Sequence, residues 1–166
     1  MRSLRRLGYL LIFVGFSTLT VGAADAATIV ALGASNTYGK GVARNQAYPA
    51  QLEAILRAKG ANVRVVNAGI NGDTTESMLA RLDRAVPNGT SAVILQPGGN
   101  DRRKLRPDRT AEIQSHLSAR GIPVIMLANG MLRGLPHQPD GQHLTPEGYH
   151  MLAESLASQV SGAIGR

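Results

Sequence analysis

Thr28-Ile-Val-Ala-Leu-Gly-Ala-Ser-Asn-Thr37 is the stretch on which the fold of this chain turns. A short apolar run with β-branched residues, ended by glycine and a tight polar turn, is the pattern of a strand buried on both faces. Such strands belong to parallel sheets covered by helices. The run delivers Ser35 straight into the turn where an α/β enzyme keeps a nucleophile. Near the other end, Asp140-Gly-Gln-His143 supplies a carboxylate and an imidazole able to activate a serine hydroxyl. A lone serine after a strand is ordinarily a turn residue or a helix cap. Two further loops shift that reading. Asn67-Ala-Gly-Ile-Asn-Gly-Asp73 follows the strand-like run 63–66, and Pro97-Gly-Gly-Asn-Asp101 follows 92–96.

With these four blocks in this order, the chain resembles the SGNH (GDSL-like) hydrolases, among them secreted bacterial esterases, lysophospholipases and arylesterases. The conjunction of Gly-Gly-Asn-Asp with Asp-x-x-His is far more specific than any block alone. The resemblance implies Ser35 as nucleophile, Asp140 and His143 as the rest of a triad, and Gly72 and Asn100, with Ser35, as oxyanion donors. It implies an ester substrate, a small molecule or a glycan or lipid ester, and no cofactor or metal. One block departs from the family: Gly33-Ala34-Ser35 stands where Gly-Asp-Ser is usual, so the carboxylate of the nucleophile loop is missing. The segment 128–140 is also too short for the additional strand and helix that many members carry before the catalytic loop.

Strand-like and helix-like segments alternate along the rest of the chain. Strands are expected over 28–32, 63–66, 92–96 and 123–128, and helices over 47–59, 75–86, 110–120 and 146–164. Pro49 and Pro146 suit a first helical turn, Asp73 with Glu76 reads as a capping box, and Gly60 and Gly121 follow helix ends. Repeated βα units predict a parallel sheet, and the resemblance implies a three-layer α/β/α, flavodoxin-like SGNH-hydrolase fold with about four strands, whose flavodoxin-like order 2-1-3-4 puts the first and third strands beside the switch point. In such sheets ligands gather beyond the carboxyl ends of the strands, where strand order reverses. Ser35, Gly72 and Asn100 each follow a strand, so they converge on one sheet edge. The loop before the last helix can bring Asp140 and His143 over it.

Serine is a weak nucleophile until a base accepts its proton, so His143 must reach Ser35 through one nitrogen while Asp140 fixes the other. Attack on an ester places negative charge on the former carbonyl oxygen. The backbone N–H groups of Ser35 and Gly72 and the Asn100 amide can stabilise it, glycine at 72 allowing close approach.

Composition narrows the setting. Arg2, Arg5 and Arg6 precede an apolar run over 7–21 and the small residues Ala24-Asp-Ala26, the pattern of a secretory signal peptide over residues 1–26. The remaining residues 27–166 have the size of one domain, exported to the periplasm or secreted, with no later stretch apolar enough to span a membrane. Losing Arg2, Arg5, Arg6 and Asp25 takes two from the formal charge of +7. Much of the excess lies in Arg102-Arg-Lys-Leu-Arg106 and Arg109. Nucleic acid is an unsuitable partner, because aromatics able to stack bases make up only 4% of the chain. Without cysteine, neither disulfides nor thiolate metal sites are possible.

Rival readings are weaker. Gly33 to Gly41 resembles a phosphate loop superficially, but five residues separate Gly33 from Gly39 and Gly41 replaces the magnesium-binding Ser or Thr. A metal hydrolase would use His137, Asp140 and His143. A secreted carbohydrate- or lipid-binding module with degenerate catalysis would fit Ala34. Asp73 and Asp101 read as caps or loop braces, and His116 and His150 as helix-surface residues. The Gly-, Asn-, Asp- and Thr-rich loops have few apolar groups to bury a long acyl tail, so short acyl esters are the expected substrates.

Overall fold

The computed structural model describes residues 25–165; all but the end of the expected leader lies outside them. Four strands form one parallel sheet: β1 (Ala27–Gly33), β2 (Val63–Gly69), β3 (Thr90–Gln96) and β4 (Val124–Met126), in the expected order β2-β1-β3-β4. β1 pairs with β2 from Ala27–Val63 to Gly33–Gly69, and with β3 on its other side.

Successive side chains of a strand face opposite ways, and both sets in β1 are buried. Ile29 and Ala31 join Val63, Val65, Ala92 and Ile94 under two helices, α2 (Tyr48–Ala58) and α7 (Pro146–Ala163), which contribute Leu52, Leu56, Leu152 and Leu156. Val30 and Leu32 join Val93 and Leu95 on the other face, under α3 (Thr75–Ala80), α4 (Leu82–Ala85) and α6 (Thr110–Ala119), with Met78, Leu82, Ile113 and Leu117. This double burial is why the strands read as continuous apolar runs. Each fully buried Leu or Ile contributes about 1.5–3 kcal/mol relative to exposure. One-turn helices follow the middle strands: α1 (Ser35–Tyr38) after β1 and α5 (Asn100–Arg103) after β3.

Two local expectations are corrected. The single helix expected over 75–86 is two, broken at Arg81, whose backbone leaves helical values at φ −109° and ψ 9°. The Arg81 guanidinium turns back onto Asp73 Oδ2 at 2.7 Å and the carbonyl of Ala68 at 2.9 Å. That ion pair occupies Asp73, so Asp73 and Glu76 form no capping box; Thr74 is the cap, its Oγ1 accepting from Ser77 N at 3.2 Å. The start of α7 follows the sequence pattern, with Thr145 Oγ1 accepting from Gly148 N and Pro146 in the first turn.

Between β4 and α7 the chain makes only a 3-10 turn at Asn129–Leu132 and an isolated antiparallel bridge between His137 and Leu144. Among the described residues there is no fifth strand and no helix long and apolar enough to cross a membrane.

Candidate active site

The sheet order reverses between β1 and β3, and the turns leaving these two strands carry Ser35 and Asn100. At the end of β2, Gly69 lies so close to α1 that a Cβ there would sit 2.2 Å from Tyr38 N. Gln96, the last residue of β3, braces α1 from the other side: its Oε1 accepts from Ala34 N at 3.3 Å and Thr37 Oγ1 at 3.2 Å. The turn carrying Ser35 is thus wedged between two strand ends.

Asp140 and His143 reach this turn from the loop before α7. Ser35 Oγ lies 2.9 Å from His143 Nε2, and His143 Nδ1 lies 2.5 Å from Asp140 Oδ2. The other Asp140 oxygen accepts from the backbone N–H groups of Gln142 at 2.9 Å and His143 at 3.0 Å. Its bond to the His143 ring, followed by these backbone bonds, holds the Asp140 carboxyl well below the usual carboxylate range. His143 is buried while Asp140 stays open to solvent. A carboxylate at one ring nitrogen selects the tautomer that presents a lone pair to the hydroxyl at the other.

Asn100 is 5% exposed. Its Nδ2 donates to the carbonyl of Asp73 at 2.7 Å, and its Oδ1 accepts from Arg103 Nη2 at 2.6 Å. Guanidinium has donors only, so it fixes which end of the amide is oxygen. The second Nδ2 hydrogen has no partner among the described residues. Arg103 also donates to Gln142 Oε1, joining α5 to the loop that carries Asp140 and His143. Asn36 makes a parallel tie: its Nδ2 donates to the Gln142 carbonyl at 3.0 Å and its Oδ1 accepts from Tyr149 Oη at 3.0 Å. Burial pushes the Tyr149 hydroxyl up to about 12, so it remains a donor.

These residues open on a cleft of about 450 Å³ lined by Ser35, Asn100 and His143 together with Ala34, Leu132, His137, three arginines and several glycines. Gly72 is not among the lining residues. It occupies a turn at φ 73°, a value that favours glycine; its carbonyl accepts from Lys104 Nζ at 2.6 Å and its N–H has no partner among the described residues. Asp101 is a brace, its Oδ1 accepting from Thr75 N at 3.0 Å.

The metal reading of His137, Asp140 and His143 is corrected. Both His143 nitrogens face Asp140 and Ser35, and His137 Nδ1 lies 2.6 Å from the Leu135 carbonyl. No group of three His, Cys, Asp or Glu suited to a metal occurs among the described residues. Sequence reasoning missed Asn36, Gln96 and Arg103. Gln96 carried a signal: a lone amide ends the buried apolar run 92–95, where a buried polar group needs a partner.

Comparison with known proteins follows the same lines. The GDSL-like Lipase/Acylhydrolase family matches residues 31–142. The chain is 35% identical over 112 residues to Esterase TesA of Pseudomonas aeruginosa, covering 63% of this chain and 55% of that protein. It is 33% identical over 121 residues to Thioesterase 1/protease 1/lysophospholipase L1 of Escherichia coli, covering 69% and 57%. A crystal structure of TesA shares the fold, with a TM-score of 0.69 at 23% identity over 82% of this chain and 99% of that one. The chain thus spans little more than half the length of the curated relatives it matches.

Proposed function

The chain belongs to the GDSL-like Lipase/Acylhydrolase family, and from that premise we propose that it hydrolyses carboxylic esters with Ser35 as nucleophile, His143 as general base and Asp140 as the group orienting the imidazole. The observation that carries this reading is the continuous relay from Asp140 through His143 to Ser35, at 2.5 and 2.9 Å. His143 takes the Ser35 proton as Oγ attacks the ester carbonyl, then returns it to the departing alcohol; a water attacks the acyl-enzyme by the same route.

The free amide hydrogen of Asn100 and the backbone N–H of Ser35, in the first turn of α1 where helical N–H groups lack an acceptor, supply donors for the developing oxyanion. The family resemblance assigns the third donor to the N–H of Gly72, which has no partner among the described residues but does not line the cleft. Arg103 is a positioning residue: it touches no reacting atom and holds the Asn100 amide with its N–H groups toward Asp73 and the cleft. Two apolar side chains in the lining, Ala34 and Leu132, favour short acyl groups, since each methylene left in water forgoes about 0.8 kcal/mol. The leader pattern supports export, so the substrate is met outside the cytoplasm by a single catalytic domain.

Ser35→Ala tests the reading. Turnover of acetyl and butyryl chromogenic esters is expected to fall by about 10³-fold or more with the melting temperature almost unchanged. A binding module that kept the fold without catalysis gives no serine-dependent turnover in the wild type. Undiminished turnover in a folded Ser35→Ala protein contradicts the mechanism.

A further inference from the structure

The basic run after β3 is divided by what its members touch. Arg103 holds Asn100 and Gln142, Lys104 donates to the Gly72 carbonyl, Arg106 lies 3.9 Å from Glu76, and Arg109 pairs with Glu112 at 2.5 Å. Arg102 alone in this run has no side-chain partner among the described residues, and it lines the cleft that holds Ser35. Arg133, from the facing wall beyond the Asn129–Leu132 turn, lines the same cleft and is likewise unpartnered.

Exposed arginines are commonly just solvated, as Arg64 and Arg84 are elsewhere on this surface. Position separates Arg102 and Arg133 from these. They enter one concave site from two chain segments about 30 residues apart, and that site has no carboxylate among its lining residues to neutralise them. A guanidinium fork matches a carboxylate oxygen pair, and a cleft partly closed to water strengthens the attraction relative to open surface.

We propose that the preferred substrates are esters whose acyl or alcohol part bears an anionic oxygen group such as a carboxylate, bound by Arg102 and Arg133. This rests on the ester-hydrolysis reading of Ser35 and adds to it a substrate class. A neutral ester fills the same cleft while leaving both cations unpaired.

Binding to the Ser35→Ala protein tests the subsite without relying on turnover. Affinities are measured by NMR titration for two matched pairs: monomethyl adipate against methyl hexanoate, with the charge on the acyl side, and O-butyrylglycolate against ethyl butyrate, with the charge on the alcohol side. The charged member of at least one pair is expected to bind about tenfold more tightly at low salt, and the preference is expected to shrink as salt screens it. The responding pair shows which side carries the charge. Adding Arg102→Gln and Arg133→Gln should bring the ratio toward one, while Lys at both positions should retain part of it. Equal affinity within both pairs, or a preference that survives the double Gln substitution, overturns the proposal. Wild-type protein that binds charged esters preferentially but hydrolyses none supports the subsite and contradicts ester hydrolysis instead.

Discussion

On one side of the cleft, the turn after β1 is held by side chains that reach across the whole fold. On the facing side, residues 129–135 are mostly exposed and tied mainly by short backbone bonds. Asn36 and Thr37 are buried, and their partners, Gln142, Tyr149 and Gln96, come from distant segments. The facing wall is closed by local turns such as Met131 N to the Ala128 carbonyl and Arg133 N to the Gly130 carbonyl, with Asn129 Nδ2 donating across to the Gly98 carbonyl at 3.0 Å. The contrast separates two jobs. Proton transfer requires atoms held to within a fraction of an ångström, which only over-determined packing provides. Choosing among substrates requires a surface that can vary without disturbing that geometry, and an exposed loop meets that need.

Substitutions on the two sides should therefore differ in kind. After Ser35 itself, the largest effect is expected at Asn100, where the braced side meets the reaction: Asn100→Ala should lower kcat by about 10²- to 10³-fold with a smaller change in KM, measured on a short acyl ester. A pure KM effect would make Asn100 a substrate binder instead. Next is Tyr149→Phe, which leaves the buried Asn36 Oδ1 without its donor and should cost about 1–3 kcal/mol of stability, read by urea unfolding. An unchanged midpoint would show that the tie to α7 is dispensable.

A smaller effect depends on pH. The Asp140 carboxyl lies below its ordinary 3.8 in the folded protein, so the stability it contributes is present above that value and lost as pH falls through the lower folded one. The wild type should exceed Asp140→Asn in unfolding midpoint at pH 7 and pH 5, and the gap should close toward pH 2. A gap that widens in acid contradicts the assignment. The smallest effect on folding is expected at the open wall, where Arg133→Ala should stay within about 0.5 kcal/mol of wild type. A loss matching that of Tyr149→Phe would erase the difference between the two sides.

Much of this arrangement was legible before any coordinates. The β-branched run before Ser35 and the alternation of strands and helices follow from period and burial on both sheet faces, whereas the order β2-β1-β3-β4 came with the flavodoxin-like resemblance. Asp140 and His143 stood out because three residues of separation in a turn suit a pair of this kind. The supporting ties were less visible, since Asn36 and Gln142 lie 106 residues apart and Arg103 and Gln142 lie 39 apart. Nothing local in Arg102-Arg-Lys-Leu-Arg106 marks which arginine serves Asn100. The break at Arg81 was hidden for a related reason: an uninterrupted helical pattern gave no sign that Asp73, a natural cap by position, would be held by an arginine eight residues on.

The central claim is that Ser35 is a nucleophile activated by His143. Its most direct test is covalent labelling with a fluorophosphonate, followed by mass spectrometry of the digested protein. One label per molecule is expected on the peptide carrying Ser35, at a rate that collapses in folded His143→Ala protein. A label on another residue, or labelling of Ser35 undiminished without His143, contradicts the account.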